Sequence, residues 1–347
     1  MKNRLYAKIE IEGSLVGRGC PVFIIAEACD NHFGDVVVAK KMIKQAKLAG
    51  ADCIKFQHHL PDEEMLPDIP MSDNMGEPLY EFLKKNALSL DQHKVLKGFC
   101  EETGIIYLCT PFSYKAACEI KSIGVNAFKI GSGEMTDLTS LKAISSLGCP
   151  MIMSTGMSTM SEIKRTYSAM KGWGVPFAFT NCISEYPPVY EDMNIGVIKT
   201  MIDGLPDVVI GHSDHTPDNY TAFAAVALGA KIIEKHVILD KKSPGPDQSV
   251  SIDMKDLADL VEGVRKIEAS LGDEKKVHER EKQIREWAFR SIVTTRDIPA
   301  GTNLTQEMLW TKRPGTGIPS HELPDFIGRK TKQSLKANIL LQRESVE

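Results

Sequence analysis

Eight short apolar segments, each ending in polar residues, alternate along the chain with stretches in which apolar residues recur at helical spacing. A strand that is apolar along its whole length is buried on both faces, as in a parallel sheet covered by helices. Eight β-then-α units in about 270 residues predict a closed (β/α)8 (TIM) barrel, whose chemistry lies at the C-terminal ends of the strands. The segments are FIIAE, CIKFQ, IIYLCT, AFKIGSGE, MIMST, FAFTNCISEY, VVIGHSDH and KIIEKH.

Composition limits the partners and the compartment. The 347 residues suffice for a large core plus a smaller domain, and 42 Lys+Arg against 46 Asp+Glu give a net charge of −4. That balance gives no indication of nucleic acid as a partner. The eight cysteines form no CxxC pair, and the chain has neither an 18-residue apolar stretch nor the apolar core of a signal peptide. We therefore expect a cytoplasmic protein without a membrane partner.

A charged segment separates the predicted barrel from a tail. Residues 272–286, GDEKKVHEREKQIRE, carry ten charged side chains and predict a linker or an exposed helix between a barrel domain at 1–271 and a domain at 287–347. The tail has short strand-like pieces and buries little surface alone, so docking against a neighbour or a second subunit would help it. Its KRPGTG turn presents Arg313 as a cation.

The last two strand-like segments carry the most specific chemistry. VVIGHSDH ends in Ser213 and His215, KIIEKH ends in Glu234 and His236, and the following loop adds Asp247. A lone histidine is more often a hydrogen-bonded structural residue, but two at successive strand ends favour ligands of a divalent metal. The pattern indicates an enzyme that holds a metal beside a phosphate or carboxylate ligand.

For the other strand-end residues, an ordinary structural role is the alternative to a functional role. Lys129 lies inside the apolar run AFKI, where a solvated surface lysine is not expected, whereas Ser132 and Ser154 also fit ordinary turns. Glu27 is a candidate acid/base or orienting carboxylate, and its alternative is an ion pair with Lys55.

Ten motifs in order, across both predicted domains, resemble the sialic acid (N-acetylneuraminate) synthases and their relatives that make legionaminic and pseudaminic acids. The resemblance extends from about residue 15 to the C-terminus, and the tail resembles the antifreeze-like (SAF) domain of these enzymes. The motifs are AEACDNHFGD, KFQ, TPF, KIGSGE, STGM, EYPP, GHSDHT, IEKH, GPDQS and KRPGTG.

The resemblance implies a transferase that condenses phosphoenolpyruvate with the open-chain aldehyde of an N-acetylated hexosamine and releases phosphate by C–O cleavage. It implies Mn²⁺ or Mg²⁺ on His215 and His236, which count with Glu27 and Glu234 as the catalytic residues. Glu27 and Glu234 are the candidate acid/base and orienting carboxylates. Phosphoenolpyruvate contacts are implied for Lys55, Thr110, Lys129, Ser132, Ser154, Ser184 and Ser213. Sugar contacts are implied for Gln57, Asn74, Tyr186, Asp247 and Arg313.

By the same resemblance, the enzyme is a domain-swapped homodimer in which Arg313 of one subunit reaches the barrel mouth of the other. Asn74 lies in an insertion, 58–79, that closes the sugar pocket in the family.

Departures from the family pattern leave the sugar open between N-acetylmannosamine and a diacetamido-trideoxyhexose. Ala28-Cys29-Asp30 stands where a Gly-containing apolar triplet is expected, and Ser184 where bacterial sialate synthases often carry Asn. His212 could be a third metal-site group or a wall of the pocket. Two alternatives remain: a Schiff-base lyase on the same barrel with Lys129 as nucleophile, and a non-catalytic carbohydrate-binding protein.

Overall fold

The computed structural model describes residues 7–71 and 76–347. The chain forms two compact units, a first that ends at Leu271 and a second that spans Gly272–Glu347.

The first unit is the predicted barrel. Neighbouring strands pair in parallel in chain order, and the last pairs with both its predecessor and the first, which closes the ring. The fold predicted from the eight segments is therefore confirmed. The barrel strands are β3 (Phe23–Glu27), β4 (Cys53–His58), β5 (Ile106–Pro111), β6 (Phe128–Ile130), β7 (Met151–Ser154), β8 (Phe177–Asn181), β9 (Val209–Asp214) and β10 (Ile232–Ile238). An antiparallel hairpin, β1 (Lys8–Ile11) and β2 (Ser14–Gly17), precedes them, and β11 (Ile252–Asp253) extends β10.

Helices cover the outside of the barrel, and their starts follow capping chemistry. Asp35, Ser113, Asp137 and Asp253 accept backbone N–H groups at helix starts. Capping boxes open the helices that begin after Ser89 and Thr159. The helices are α1 (Val36–Ala49), α2 (Pro61–Glu64), α3 (Leu79–Asn86), α4 (Leu90–Thr103), α5 (Tyr114–Ser122), α6 (Leu138–Ser145), α7 (Met160–Trp173), α8 (Val197–Gly204), α9 (Tyr220–Ala227) and α10 (Met254–Ser270).

The barrel interior has an apolar lower layer and a polar upper layer. The lower layer packs against apolar residues of the β1–β2 hairpin and includes Ile25, Cys53, Leu108, Ala127, Ile152, Ala178 and Ile232. Because side chains two positions apart on a strand share a face, the residues two further on point into the same interior. Those residues are Glu27, Lys55, Thr110, Lys129, Ser154, Thr180 and Glu234. Strand periodicity thus places a ring of polar groups above an apolar plug.

The second unit has its own small core. Strands β12 (Ser291–Thr294) and β13 (Leu309–Lys312) pair antiparallel, and Ile292 and Phe326 belong to a buried apolar cluster. Part of the charged segment forms α11 (Glu279–Ala288), whose side chains are exposed apart from the half-buried Ala288. A short helix, α12 (Leu323–Phe326), completes the unit.

Within 7–71 and 76–347, we find no helix with both the length and the apolar character needed to cross a bilayer.

Gly211 on β9 provides a test of interior packing. A Cβ atom there would lie 2.6 Å from both Cβ and the carbonyl oxygen of Ile232, whereas a Cβ on Gly98 in α4 would have open space. We expect Gly211→Ala to lower the free energy of unfolding by about 1–3 kcal/mol, because backbone on β10 cannot move aside freely. Gly98→Ala should be neutral or stabilising by up to about 1 kcal/mol. Urea unfolding of both variants is the measurement, and equal midpoints would contradict close packing at Gly211.

Candidate active site

A cavity of about 430 Å³ lies at the C-terminal ends of the barrel strands. It brings together most of the residues singled out from the sequence, although their segments are far apart along the chain. The predicted residues on its wall are Glu27, Lys55, Gln57, Thr110, Lys129, Ser132, Ser154, Ser184, Tyr186, His215, Glu234, His236 and Asp247.

Two buried lysines share one carboxylate on the cavity floor. Lys55 Nζ lies 2.6 Å from Glu27 Oε2 and 3.9 Å from Glu234 Oε2, and it donates to Thr110 Oγ1 at 2.9 Å. Lys129 Nζ lies 3.4 Å from Glu234 Oε1 and donates to Ser154 Oγ. The ion pair considered as the alternative for Glu27 is therefore present, but both members also face the cavity.

The two floor carboxylates differ in proton affinity. Burial raises the pKa of Glu27, an effect that Lys55 offsets only in part. Burial also acts to raise the pKa of Glu234, but Lys129, Lys55 and the Ser213 hydroxyl together bring it below its ordinary value. Glu27 is thus the better proton carrier and Glu234 the better fixed anion, because their environments separate their pKa values.

A network of hydroxyl groups supports Glu234. Ser213 Oγ lies 3.0 Å from Glu234 Oε1 and 2.9 Å from Thr180 Oγ1, while Ser154 Oγ lies 3.2 Å from Ser213 Oγ. Ser213 is buried behind the cavity lining and its hydroxyl orients Glu234, while its contact with phosphoenolpyruvate stays a prediction. Thr180 was missed, although its position two residues after Ala178 could have revealed it.

Ser132 and Ser184 line the same cavity above the floor. Ser132 Oγ accepts the backbone N–H of Gly156 at 3.1 Å, as expected of a residue in turn chemistry. Ser132 thus takes part in turn chemistry and faces the cavity, and its contact with phosphoenolpyruvate stays a prediction.

The two predicted metal ligands stand side by side on the cavity wall. The ring centroids of His215 and His236 are 5.1 Å apart, and Tyr186 packs 4.3 Å from His215. His215 Nδ1 donates to the carbonyl oxygen of Ile183 at 2.8 Å, so in the neutral ring Nε2 carries no proton and is able to ligate. Burial and the neighbouring His215 hold the pKa of His236 well below its usual range, so its ring is neutral, the form that binds metals.

The donors beside His236 fit a divalent ion. One ligand atom each of Cys29, His236 and Asp247 lie within 4.8 Å of one another. In addition, His236 Nδ1 is buried and has no hydrogen-bond partner among the residues that the structure describes. A buried imidazole nitrogen without a partner is costly unless a cation or a ligand completes the site.

His212 does not join this group. It is fully buried, its Nδ1 donates to the carbonyl oxygen of Asn181 at 3.0 Å, and its Nε2 lies 3.9 Å from Asp214 Oδ1. Asp214 in turn pairs with the buried Lys235 at 3.0 Å. His212 alternates with Gly211 and Ser213 along β9 and so points away from the interior. Neither possibility raised for it, a metal-site group or a pocket wall, is realised.

A hydrogen-bonded chain missed from the sequence links the insertion to the floor. Gln57 Nε2 donates to Glu27 Oε1 at 2.8 Å, His59 Nε2 donates to Gln57 Oε1 at 3.0 Å, and His59 Nδ1 lies 3.0 Å from Glu64 Oε1 in α2. Although burial acts to lower the pKa of His59, Glu64 and Asp30 raise it. The sequence signal for this chain was His59, two residues after the KFQ motif, but its position alone does not reveal whether its side chain faces the cavity.

Acidic residues occupy the His59 side of the cavity. Asp30, Glu134 and Asp247 all line it and all interact electrostatically with His59. Burial raises the pKa of Asp30 to about 6 and also raises those of Glu134 and Asp247. Of these three, only Asp247 had been singled out.

For two residues, Asn74 and Arg313, the sugar contact stays a prediction. Asn74 lies outside the described residues. Arg313 belongs to the second unit, where its Nε donates to the carbonyl oxygen of Ala288 at 3.1 Å and its guanidinium lies 5.2 Å from the Trp287 ring centroid.

Comparison with known proteins agrees with this architecture. The model of the NeuB family matches residues 42–276, and the model of the SAF domain matches residues 289–347. The N-acetylneuraminate-9-phosphate synthase of Mus musculus is 35% identical over 342 residues, covering 96% of this chain and 95% of that protein. The N,N'-diacetyllegionaminic acid synthase of Legionella pneumophila is 34% identical over 343 residues, covering 95% and 96%.

A solved structure extends the likeness to three dimensions. The N-acetylneuraminic acid synthetase of Leptospira borgpetersenii, in complex with citrate, superposes with a TM-score of 0.72 and 33% identity over 80% of this chain and 95% of that one. The family model matches more than half of this chain, and both relatives are more than 30% identical along nearly all of it. The chain therefore belongs to the NeuB family and is, as the motifs predicted, a synthase-type transferase that ends in a SAF domain.

Proposed function

We propose that this protein condenses phosphoenolpyruvate with the open-chain aldehyde of an N-acylated amino sugar, giving a nonulosonic acid and inorganic phosphate. One observation carries the proposal: the buried Lys55 and Lys129 flank a single carboxylate, Glu234, at the bottom of a cavity whose wall holds His215 and His236. The two lysines on the floor suit an anionic substrate, and the imidazoles on the wall beside them suit the reaction of that substrate with an aldehyde.

The floor supplies the anion site. Phosphoenolpyruvate carries about three negative charges, and lysine binds phosphate as a point charge. Lys55 and Lys129 are held by Thr110 and Ser154, so they need little reordering to bind an anion. Ser132 and Ser184 add hydroxyl donors on the same wall.

The reaction requires a C–C bond, a water molecule and a broken C–O bond. C3 of phosphoenolpyruvate attacks the aldehyde carbon, the aldehyde oxygen takes a proton, water adds at C2, and the C2–O bond to phosphate breaks to release phosphate. Glu27, with its raised pKa, is the proposed proton carrier. Glu234, held ionised between the lysines, is proposed to stabilise positive charge that develops at C2.

We propose that His215 and His236 hold a divalent ion, Mn²⁺ or Mg²⁺. Such an ion supplies Lewis-acid activation of the aldehyde oxygen when bound. The neutral ring of His236 and the fixed tautomer of His215 support this assignment.

The acidic side of the cavity favours an unphosphorylated sugar. The mouse relative is named for a 9-phosphate product and the Legionella relative for a diacetamido acid. Asp30, Glu134 and Asp247 can accept hydrogen bonds from hydroxyl and amide groups, and in their ionised forms they would repel a sugar phosphate. We therefore propose free N-acetylmannosamine or a free diacetamido-trideoxyhexose, with Gln57, Tyr186 and Asp247 among its contacts.

The Schiff-base lyase remains a distinct alternative because burial lowers the pKa of Lys129. It leaves both imidazoles without a role, and the relatives are named as synthases. Borohydride trapping with a keto acid distinguishes the two: the lyase predicts a covalent adduct at Lys129, and the condensation predicts none.

The central test is phosphate release from phosphoenolpyruvate in the presence of a panel of free and phosphorylated N-acyl amino sugars. We expect release with a free sugar and the appearance of a nonulosonic acid. Release with the phosphorylated sugar alone would contradict the sugar assignment, and no release with any aldehyde sugar would contradict the reaction.

The metal proposal is tested at His236. His236→Ala should abolish turnover and metal binding while leaving the unfolding midpoint nearly unchanged, because the residue lies above the apolar plug. His212→Asn is the matched control for a buried histidine of the adjacent strand; it should bind metal normally, whatever its stability. Mn²⁺ binding by calorimetry and turnover with and without chelator are the measurements. Full activity in excess chelator would contradict the metal role.

Lys129 tests the anion site. Lys129→Ala should raise the KM for phosphoenolpyruvate far more than that for the sugar, because a charge-assisted contact is worth about 1.5–3 kcal/mol. Lys142→Ala removes an exposed lysine of α6 and should change neither constant. Steady-state kinetics with each co-substrate varied separately is the measurement. Equal effects on both constants would show that Lys129 orders the whole site.

The domain-swapped homodimer stays a prediction that rests on the resemblance. In such a dimer, an Arg313→Ala subunit mixed with a His236→Ala subunit should recover about a quarter of wild-type activity, because half the dimers are mixed and each has one complete site. Each variant alone provides the baseline. A lack of recovery after demonstrated subunit exchange would contradict the swapped arrangement.

A further inference from the structure

We propose that Cys29 is a sulfur ligand of the metal site, so that this chain binds its divalent ion through a thiolate as well as imidazole and favours soft ions such as Zn²⁺, Co²⁺ and Cd²⁺ over Mg²⁺. The inference rests on the proposed metal role of His236 and goes beyond the two-histidine set.

Three separate segments converge on this position. Cys29 follows β3 by two residues, and Glu27 is the direct partner of His236 in the β3–β10 ladder. Asp247 comes from the loop after β10. Ligand atoms of Cys29, His236 and Asp247 lie within 4.8 Å of one another, which is close enough for one ion to contact all three.

The surroundings of Cys29 differ from those of the buried cysteines in the apolar clusters, whereas the buried Cys182 lies beside His215. Cys53, Cys100 and Cys109 belong to the barrel strands or α4 and pack within apolar clusters. Cys29 is 0% exposed but faces an imidazole and a carboxylate instead. A small hydrophobic residue in an apolar core needs no such neighbours.

The backbone at Cys29 is also unusual. Its φ is +40°, in the left-handed region that glycine adopts readily and that a residue with a Cβ adopts only under strain. A side chain retained in such a conformation beside His236 and Asp247 points to a use for that side chain. The unpartnered, buried Nδ1 of His236 is a second, independent sign that a ligand completes the cluster.

Metal ligation of Cys29 involves proton release. The sulfur would ligate as thiolate, so the S–H bond breaks and its proton passes to solvent, while the sulfur takes the place of a water molecule on the ion. Thiolate ligands select softer ions than carboxylate and water do, which shifts the metal preference of the site. The replacement of a glycine-type position by Cys29 would thus alter which ion the enzyme holds.

The test is Co²⁺ binding to the full-length protein. We expect a near-ultraviolet thiolate-to-cobalt charge-transfer band beside the visible ligand-field bands. Cys29→Gly, which suits the backbone at φ +40°, should keep the visible bands and lose the charge-transfer band; Cys29→Ser should do the same. Cd²⁺ affinity should fall about tenfold or more in both, whereas Mn²⁺ affinity should change much less. Cys118→Ser, which removes a half-buried thiol of α5, is the control and should behave as wild type.

Each outcome decides the proposal. Cobalt bound without a thiolate band in the wild-type protein would overturn it while leaving the proposed function intact. A band that persists in Cys29→Gly would overturn it as well and assign the sulfur to another thiol, such as Cys182, whose Sγ lies 3.9 Å from His215 Nδ1. Failure of the wild-type protein to bind Co²⁺ or Mn²⁺ would overturn this inference together with the metal role, and phosphate release would then report separately on the condensation.

Discussion

The buried pairing of two lysines with two carboxylates is the interaction on which the site depends. Lys55, Lys129, Glu27 and Glu234 are all nearly inaccessible to solvent, and burying an isolated charge costs several kcal/mol. Their contacts offset that cost only because β3, β4, β6 and β10 are held in one closed ring. The lysines are therefore already fixed in place, so the anion binding that we propose would need little reorganisation.

Different parts of the cavity wall carry different kinds of side chain. The floor carries the lysines with Thr110 and Ser154, and the wall carries the imidazole pair. Acidic groups interact with His59, and one of them, Asp247, also lies beside His236. The hydrogen-bonded chain from Glu64 through His59 and Gln57 ends on Glu27. A ligand that displaces any member of this chain would change the environment of Glu27, the proposed proton carrier.

The sequence was most informative where a residue's position on a strand decides its direction. Glu27, Lys55, Lys129, Glu234 and His236 were all identified from segments that end in polar residues. Period-two alternation fixes which of these point inward, and the same rule would have revealed Thr180. His59 and Asp30 lie in irregular segments after the strands, where alternation gives no direction, and they were missed for that reason.

The amino-acid sequence by itself determined the barrel, the ring of polar side chains above its apolar plug and the family. These follow from local backbone geometry and from motifs that can be recognised in the sequence alone. Only the tertiary structure decided that Glu234 pairs with both lysines and that Ser213 is hydrogen-bonded to it. It also decided that His212 points away from the interior and that Cys29 lies close to His236. Those contacts depend on ring closure, strand register and loop paths, which bring together residues that no sequence spacing relates.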